Sequence, residues 1–313
     1  MELQMNKTAW LFPGQASQKV GMGKDIYDKI PSAKEYFDIA NEIMNNDIKS
    51  VIFEGPEEIL KRTEFTQPAI YIVSVIIGKI LVKSGFEPDC LAGHSLGEYS
   101  AYTIGGCFNF ETGLNLVKTR ANSMSKASSK ESGKMAAIIG MEIEALEKLC
   151  SSQYPFREVV VANYNAPGQY VISGTESSVN HIMDAAKDSG ARLTIELNVS
   201  GAFHSPLMSP VREELAELIN SLELSDSVCP VFSNVDSKPK MKSQEIRESL
   251  IRQLESPVQW ISSILSMKEY GVGRFFEIGP GNVLRGLNKR IDKTLKTKGI
   301  STYKDMEGVF VQP

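Results

Sequence analysis

Short apolar runs alternate along this chain with longer stretches in which apolar residues recur every three to four positions. The runs read as buried strands and the longer period as amphipathic helices. Thr8–Phe12 is the first run and ends in the turn-rich loop Pro13-Gly14-Gln15-Ala16-Ser17-Gln18. Helical patterns follow at Ser32–Met44 and Pro56–Lys61. A long apolar helix is predicted next, with Pro68 in its first turn, ending near Ser84. Asp89–Ala92 reads as a short buried strand, Glu98–Tyr102 as the start of a helix, and Asn109–Ser125 as a further helix. Lys126–Lys134, rich in Ser, Lys and Gly, reads as a linker.

Beyond it the pattern changes to strand Met135–Gly140, helix Ile143–Ser151, strands Val159–Asn163 and Tyr170–Ser173, helix Ser177–Ser189 and strand Arg192–Leu197. That βαββαβ order is the ferredoxin-like unit. A loop holding His204 follows. Then come helix Val211–Leu222, strand Cys229–Val235, helices Glu245–Leu254 and Val258–Tyr270, strand Phe275–Ile278 and a last helix ending near Arg290. Thr294–Pro313 has weak pattern and reads as partly mobile. The expected class is α/β. An α/β-hydrolase-like large domain with a parallel sheet (1–128 and 200–313) carries an inserted ferredoxin-like subdomain (129–199).

Composition narrows the function. With 313 residues, 42% hydrophobic and 23% charged, the chain has the balance of a soluble globular protein and enough length for a sizeable core. A net charge of −4 argues against nucleic acid as a partner, and no apolar run approaches a membrane span. Met1–Lys7 is polar, without a signal-like apolar region, and either Met1 or Met5 could be the natural start. Cys90, Cys107, Cys150 and Cys229 are scattered, so they read as reduced thiols of a cytoplasmic protein.

The candidate chemistry centres on Gly93-His94-Ser95-Leu96-Gly97, a G-x-S-x-G between strand and helix, the context of a nucleophile elbow. A serine needs a base within hydrogen-bond reach. Of three histidines, His94 diverges from its neighbour Ser95 and reads as packing, while His181 sits on a polar helix and reads as surface. His204 is left as the base. No acid between Ser95 and His204 stands at an obvious strand-end loop. The group expected to orient the base is therefore an amide or a backbone carbonyl, which spacing does not name.

These blocks, taken together, resemble malonyl-CoA:acyl-carrier-protein transacylases from Leu11 to about Arg290. The resemblance is carried by Phe12–Gln18, Gly93–Ser100, Val117-Lys118-Thr119-Arg120, Asn165–Gln169, Ala202-Phe203-His204-Ser205, Arg252-Gln253-Leu254, Pro257–Trp260 and Glu277–Gly281. It implies Ser95 as nucleophile, His204 as base and the Gln253 carbonyl as the group orienting it. It also implies the amides of Gln15 and Leu96 as oxyanion hole and Arg120 as the clamp for the malonyl carboxylate. Asn165 is implied at the substrate site. Phe203 and Leu96 are similar to those of malonyl-selective members, where crowding one methyl is worth about 1–3 kcal/mol. Ala16 stands where the family usually has glycine, with little effect expected. The resemblance further implies malonyl-CoA and an acyl carrier protein as partners, the latter met by Arg192, Lys289 and Arg290. It implies a monomer and no metal or cofactor, with a role in fatty-acid or polyketide synthesis. A serine hydrolase or thioesterase on the same fold is the rival reading, and Arg120 is the residue that separates the two.

Overall fold

The computed structural model describes residues 6–130, 133–151, 158–199 and 201–310. Among the described residues ten strands make two sheets. In chain order they are β1 (Lys7–Phe12), β2 (Cys90–Gly93), β3 (Gly133–Ile139), β4 (Val159–Ala166), β5 (Gln169–Thr175), β6 (Leu193–Glu196), β7 (Val231–Phe232), β8 (Pro239–Lys240), β9 (Val272–Ile278) and β10 (Thr297–Ile300). The larger sheet has the order β10-β9-β1-β2-β7-β8. All its pairings are parallel except that of β8, an antiparallel edge.

The central strands explain why their sequence reads as continuous apolar runs. Trp10 and Phe12 of β1 point into one hydrophobic cluster, Ala9 and Leu11 into another on the opposite face. Leu91 of β2 joins the first cluster, Cys90 and Ala92 the second. A parallel sheet covered on both faces has no polar side to alternate with.

The smaller sheet has the order β4-β5-β3-β6, antiparallel throughout. With helices Ile143–Ser151 and Glu176–Asp188 packed on it around Ile138, Leu146, Ile172 and Ile182, it is the expected ferredoxin-like arrangement. The α/β class stands, as a parallel-rich sheet beside a separate antiparallel one.

Four expectations need correction. The linker is mostly helix: Phe110–Lys130 is one helix and β3 starts at Gly133, with 131–132 outside the described residues. Its inner stripe of Val117, Ala121 and Met124 is fully or almost fully buried, and packing of that stripe outweighs the turn-like composition beyond it. Pro68 is inside its helix, Thr63–Lys83, rather than in the first turn. By length and composition that helix is apolar enough to cross a membrane, contrary to the expectation that no run comes near a span; in this fold most of it is buried within the protein. The tail is ordered as β10, parallel to β9, and helix Tyr303–Phe310. The two alternative start methionines, residue 200 and residues 311–313 lie outside the described residues.

Candidate active site

β1 and β2 run side by side with Phe12 level with Gly93, so their following loops leave the same end of the sheet together. The loops touch backbone to backbone. A Cβ on Gly97 would lie 2.0 Å from the Phe12 carbonyl oxygen, and one on Gly93 would lie 1.9 Å from the Gly97 carbonyl carbon. Only glycine permits that approach. The turn between them holds Ser95 at φ 51°, a left-handed conformation unusual for serine and typical of strain kept at functional turns.

Ser95 Oγ lies 2.7 Å from His204 Nε2. The opposite ring nitrogen, Nδ1, is 3.0 Å from each of two backbone carbonyls, Gln253 and Ser256. A carbonyl can only accept, so Nδ1 carries the proton and Nε2 is left to accept from the serine hydroxyl. Burial first, and then the Arg120 charge, hold His204 down at about 3, so it is neutral at physiological pH. The loop that presents it is itself constrained, with His204 at φ 58° and Ser205 Oγ donating to the Ala202 carbonyl at 2.7 Å.

Arg120 is fully buried. It lies in the inner stripe with Val117, Ala121 and Met124, which is why its side chain points inward. Nη1 donates to Gln67 Oε1 at 2.6 Å, Nη2 to Ser95 Oγ at 2.9 Å and to Gln253 Oε1 at 3.3 Å, and the group lies over the Tyr99 ring. Every one of these acceptors is neutral, and among the described residues Nε has no partner. Burial pushes the guanidinium below its ordinary value. Among the described residues no carboxylate pairs with it directly, Glu98 acting on it only at longer range, and a buried cation without an anion in contact is costly, so the site favours an anionic ligand.

The elbow is clamped by two amides distant in sequence. Asn234 accepts from Ser95 N–H at 2.7 Å and donates to the Gly93 carbonyl at 2.6 Å. Gln253 Nε2 donates to the Ser95 carbonyl at 2.9 Å and also to the Glu98 carboxylate. Gln15 is half-buried in the loop after β1, and Leu96 is 1% exposed at the start of helix Gly97–Ile104. Among the described residues neither Gln15 N–H nor Leu96 N–H has an acceptor.

The acyl transferase domain family matches residues 9–306 of this chain. The chain belongs to that family. Among curated relatives, the malonyl CoA-acyl carrier protein transacylase of Bacillus subtilis is 43% identical over 97% of this chain and 96% of its own. That of Synechocystis is 40% identical over 97% and 100%. Among solved structures, an acyl carrier protein S-malonyltransferase from Vibrio cholerae matches with a TM-score of 0.93 and 39% identity, covering 97% of this chain and 100% of that one. A malonyl-transacylase solved in complex with a type II PKS acyl-carrier protein matches with a TM-score of 0.94 and 36% identity, over 97% and 99%.

Within this member of the acyl transferase family, Ser95, His204, Gln253 and Arg120 converge as expected. Asn165 stands behind them, its Oδ1 2.8 Å from Nε2 of His94, whose ring packs on Trp260. His94 is thus a packed, hydrogen-bonded histidine, and His181 is exposed. Phe203 is buried in the main core cluster beside the base in sequence. Arg192, Lys289 and Arg290 are exposed. Arg290 donates to the Gln169 side chain, and Arg192 N–H bonds to Ile139, the residue paired with Gln169, so both sit at one end of the small sheet.

Ala16 needs revision. Its φ of 79° is left-handed, where glycine is relaxed and alanine strained, so the methyl group has a conformational cost that the sequence reading left out. Reasoning from sequence also missed Gln67, Glu98 and Asn234. For Arg120 the signal was present, since positions 117, 120, 121 and 124 share one helix face. For Asn234 there was none, because the elbow groups it bonds lie more than a hundred residues away.

Proposed function

We propose that this chain moves a malonyl group from malonyl-CoA to the phosphopantetheine thiol of an acyl carrier protein through a malonyl ester on Ser95, in the cytoplasm, as a monomer. The observation that carries this reading is the fully buried Arg120, aimed at Ser95 Oγ and, among the described residues, in direct contact with no carboxylate. A guanidinium can grip a carboxylate through two parallel hydrogen bonds, and malonyl is an acyl group that brings a free carboxylate to the serine.

In the first half-reaction Ser95 Oγ attacks the thioester carbonyl and His204 Nε2 takes its proton. The amides of Gln15 and Leu96 hold the oxyanion. The C–S bond breaks, and the proton on His204 passes to the leaving thiolate, releasing CoA. In the second half-reaction the carrier thiol gives its proton to His204, attacks the ester, and Ser95 recovers its hydrogen as the C–O bond breaks. The Gln253 and Ser256 carbonyls favour the imidazolium that forms in between. Until substrate arrives, burial and, after it, the Arg120 charge hold His204 neutral, and Arg120 occupies Ser95 Oγ; a malonyl carboxylate that pairs with Arg120 frees the oxygen and relieves its part of the effect on His204. Arg192, Lys289 and Arg290 form the acceptor surface for an acidic carrier protein.

Arg120→Gln tests the reading. It should lower malonyl loading by at least about 10²-fold while leaving acetyl loading level or raised, read as the ratio of the two acyl-enzymes. A malonyl preference unchanged in Arg120→Gln would refute it.

A further inference from the structure

Glu98 is a fully buried carboxylate to which the mechanism above gives no task. It begins the helix that follows the elbow and lies directly behind the reacting atoms. One oxygen accepts from Gln253 Nε2. The other accepts from the Asn234 backbone N–H at 3.3 Å and from the Tyr102 hydroxyl at 3.3 Å. Gln253 and Asn234 are the two residues that clamp the Ser95 backbone, and the Gln253 carbonyl is one of the two that orient His204.

We propose that Glu98 is a positioning residue for the Ser95–His204 pair, holding Gln253 and Asn234 in place, and that it does so only as the carboxylate. The inference rests on the assignment of Ser95 and His204 as nucleophile and base. Each oxygen of Glu98 faces one donor that cannot turn into an acceptor, Gln253 Nε2 on one and the Asn234 backbone N–H on the other, and only the Tyr102 hydroxyl can do either. A backbone N–H has no alternative. The Gln253 amide cannot flip, because its own Oε1 accepts from Arg120 Nη2. A carboxylate accepts on both sides. A glutamine sets its NH2 against one of these fixed donors and leaves a buried group unsatisfied, while a protonated acid loses the charge that strengthens both hydrogen bonds and must turn Tyr102 from donor to acceptor. Either Gln253 turns, drawing its main chain from His204, or Asn234 shifts and loosens the Ser95 turn.

The ionisable groups around Glu98 are Tyr99 and Tyr102 on its own helix and Arg120 from helix Phe110–Lys130. The contacts from the loop after β7 and from helix Ser243–Gln253 are neutral. Burial raises the Glu98 carboxyl to about 7, while His204 stays near 3. Glu98 and His204 can each give an acid limb in Ser95 reactivity, and a limb present in wild type but absent in Glu98→Gln is the one that reports Glu98.

The test compares wild type, Glu98→Gln and Glu98→Asp with two probes, malonyl-CoA and a neutral fluorophosphonate that labels an activated serine. Rates are taken from about pH 5 to about pH 8, with thermal unfolding of each protein alongside. In wild type both rates should fall as the pH drops through about 7. Glu98→Gln should be slow with both probes, on the order of 10²-fold at the alkaline end, and flat with pH. Glu98→Asp should regain part of the rate and of the limb. A purely structural role would instead lower the unfolding temperature and leave the limb in place. That result, or a Glu98→Gln rate equal to wild type, would overturn the proposal. If neither variant folds, wild type decides alone, since a fluorophosphonate profile level through about 7 overturns it. Failure of malonyl-CoA but not of the fluorophosphonate to react would count against the proposed substrate and leave the Glu98 test intact.

Discussion

His204 and Ala16 show how much a single residue's setting decides. The histidine is neutral because burial and Arg120 disfavour its charge, and its tautomer is fixed by two carbonyls. Its pKa is lower in the folded state than the ordinary 6.5, so the stability tied to keeping it neutral is present above that value. This stability is lost as the pH falls toward about 3. His204→Gln should therefore lose less stability than wild type over that acid window in denaturant titrations; an identical pH slope would contradict the assigned setting. Ala16 sits where glycine is relaxed. The strain of about 1–2 kcal/mol exceeds the unfolded-state entropy of about 0.4–1 kcal/mol that glycine adds. Ala16→Gly should thus stabilise the fold by up to about 1.6 kcal/mol and raise the unfolding midpoint, and a fall would show the loop is relaxed as it stands. Ser95 and His204 were readable because motif and elimination are local operations on a chain with three histidines. Glu98, Asn234 and Gln67 were not, since each gains meaning from partners that only the fold brings near.

At the scale of elements, the strand–turn–helix at Ser95 depends on glycines for different reasons from those elsewhere. A Cβ at Gly97 would meet main chain at 2.0 Å, whereas one at Gly286, in helix Val283–Ile291, meets nothing within 4 Å. Gly97→Ala should cost about 3 kcal/mol and abolish Ser95 labelling. Gly286→Ala should stabilise by about 0.5–1 kcal/mol through helix propensity. Equal effects in thermal unfolding would disprove the contrast. Strand runs and the βαββαβ order were legible because β1 and β2 bury both faces and the small sheet alternates helix and strand cleanly. The region after Ser125 was misread because its Ser-Lys composition favours turns while the buried stripe that keeps it helical lies upstream. β10 was missed because a four-residue strand at a sheet edge is set by its neighbour β9 more than by its own sequence.

Across the whole molecule, the turn after β2 supplies Ser95, helix Phe110–Lys130 supplies Arg120, the loop to His204 returns from the small sheet, and helix Ser243–Gln253 closes the site from behind. The exposed Arg192 belongs to the small sheet and Lys289–Arg290 to the large domain, with Arg290 bonded to Gln169 across the join. A carrier protein that docks there would touch both parts at once. Lys289→Glu combined with Arg290→Glu should slow transfer to carrier protein much more than loading from malonyl-CoA, with the wild-type difference shrinking at high salt. Equal slowing of both steps would remove the patch from the mechanism. The most direct test of the covalent transfer itself is intact-protein mass spectrometry of wild type and Ser95→Ala after mixing with malonyl-CoA. A malonyl-sized gain on wild type alone, discharged by holo carrier protein much faster than by water, is the predicted result. A gain that water discharges equally fast, or one that persists in Ser95→Ala, would contradict it.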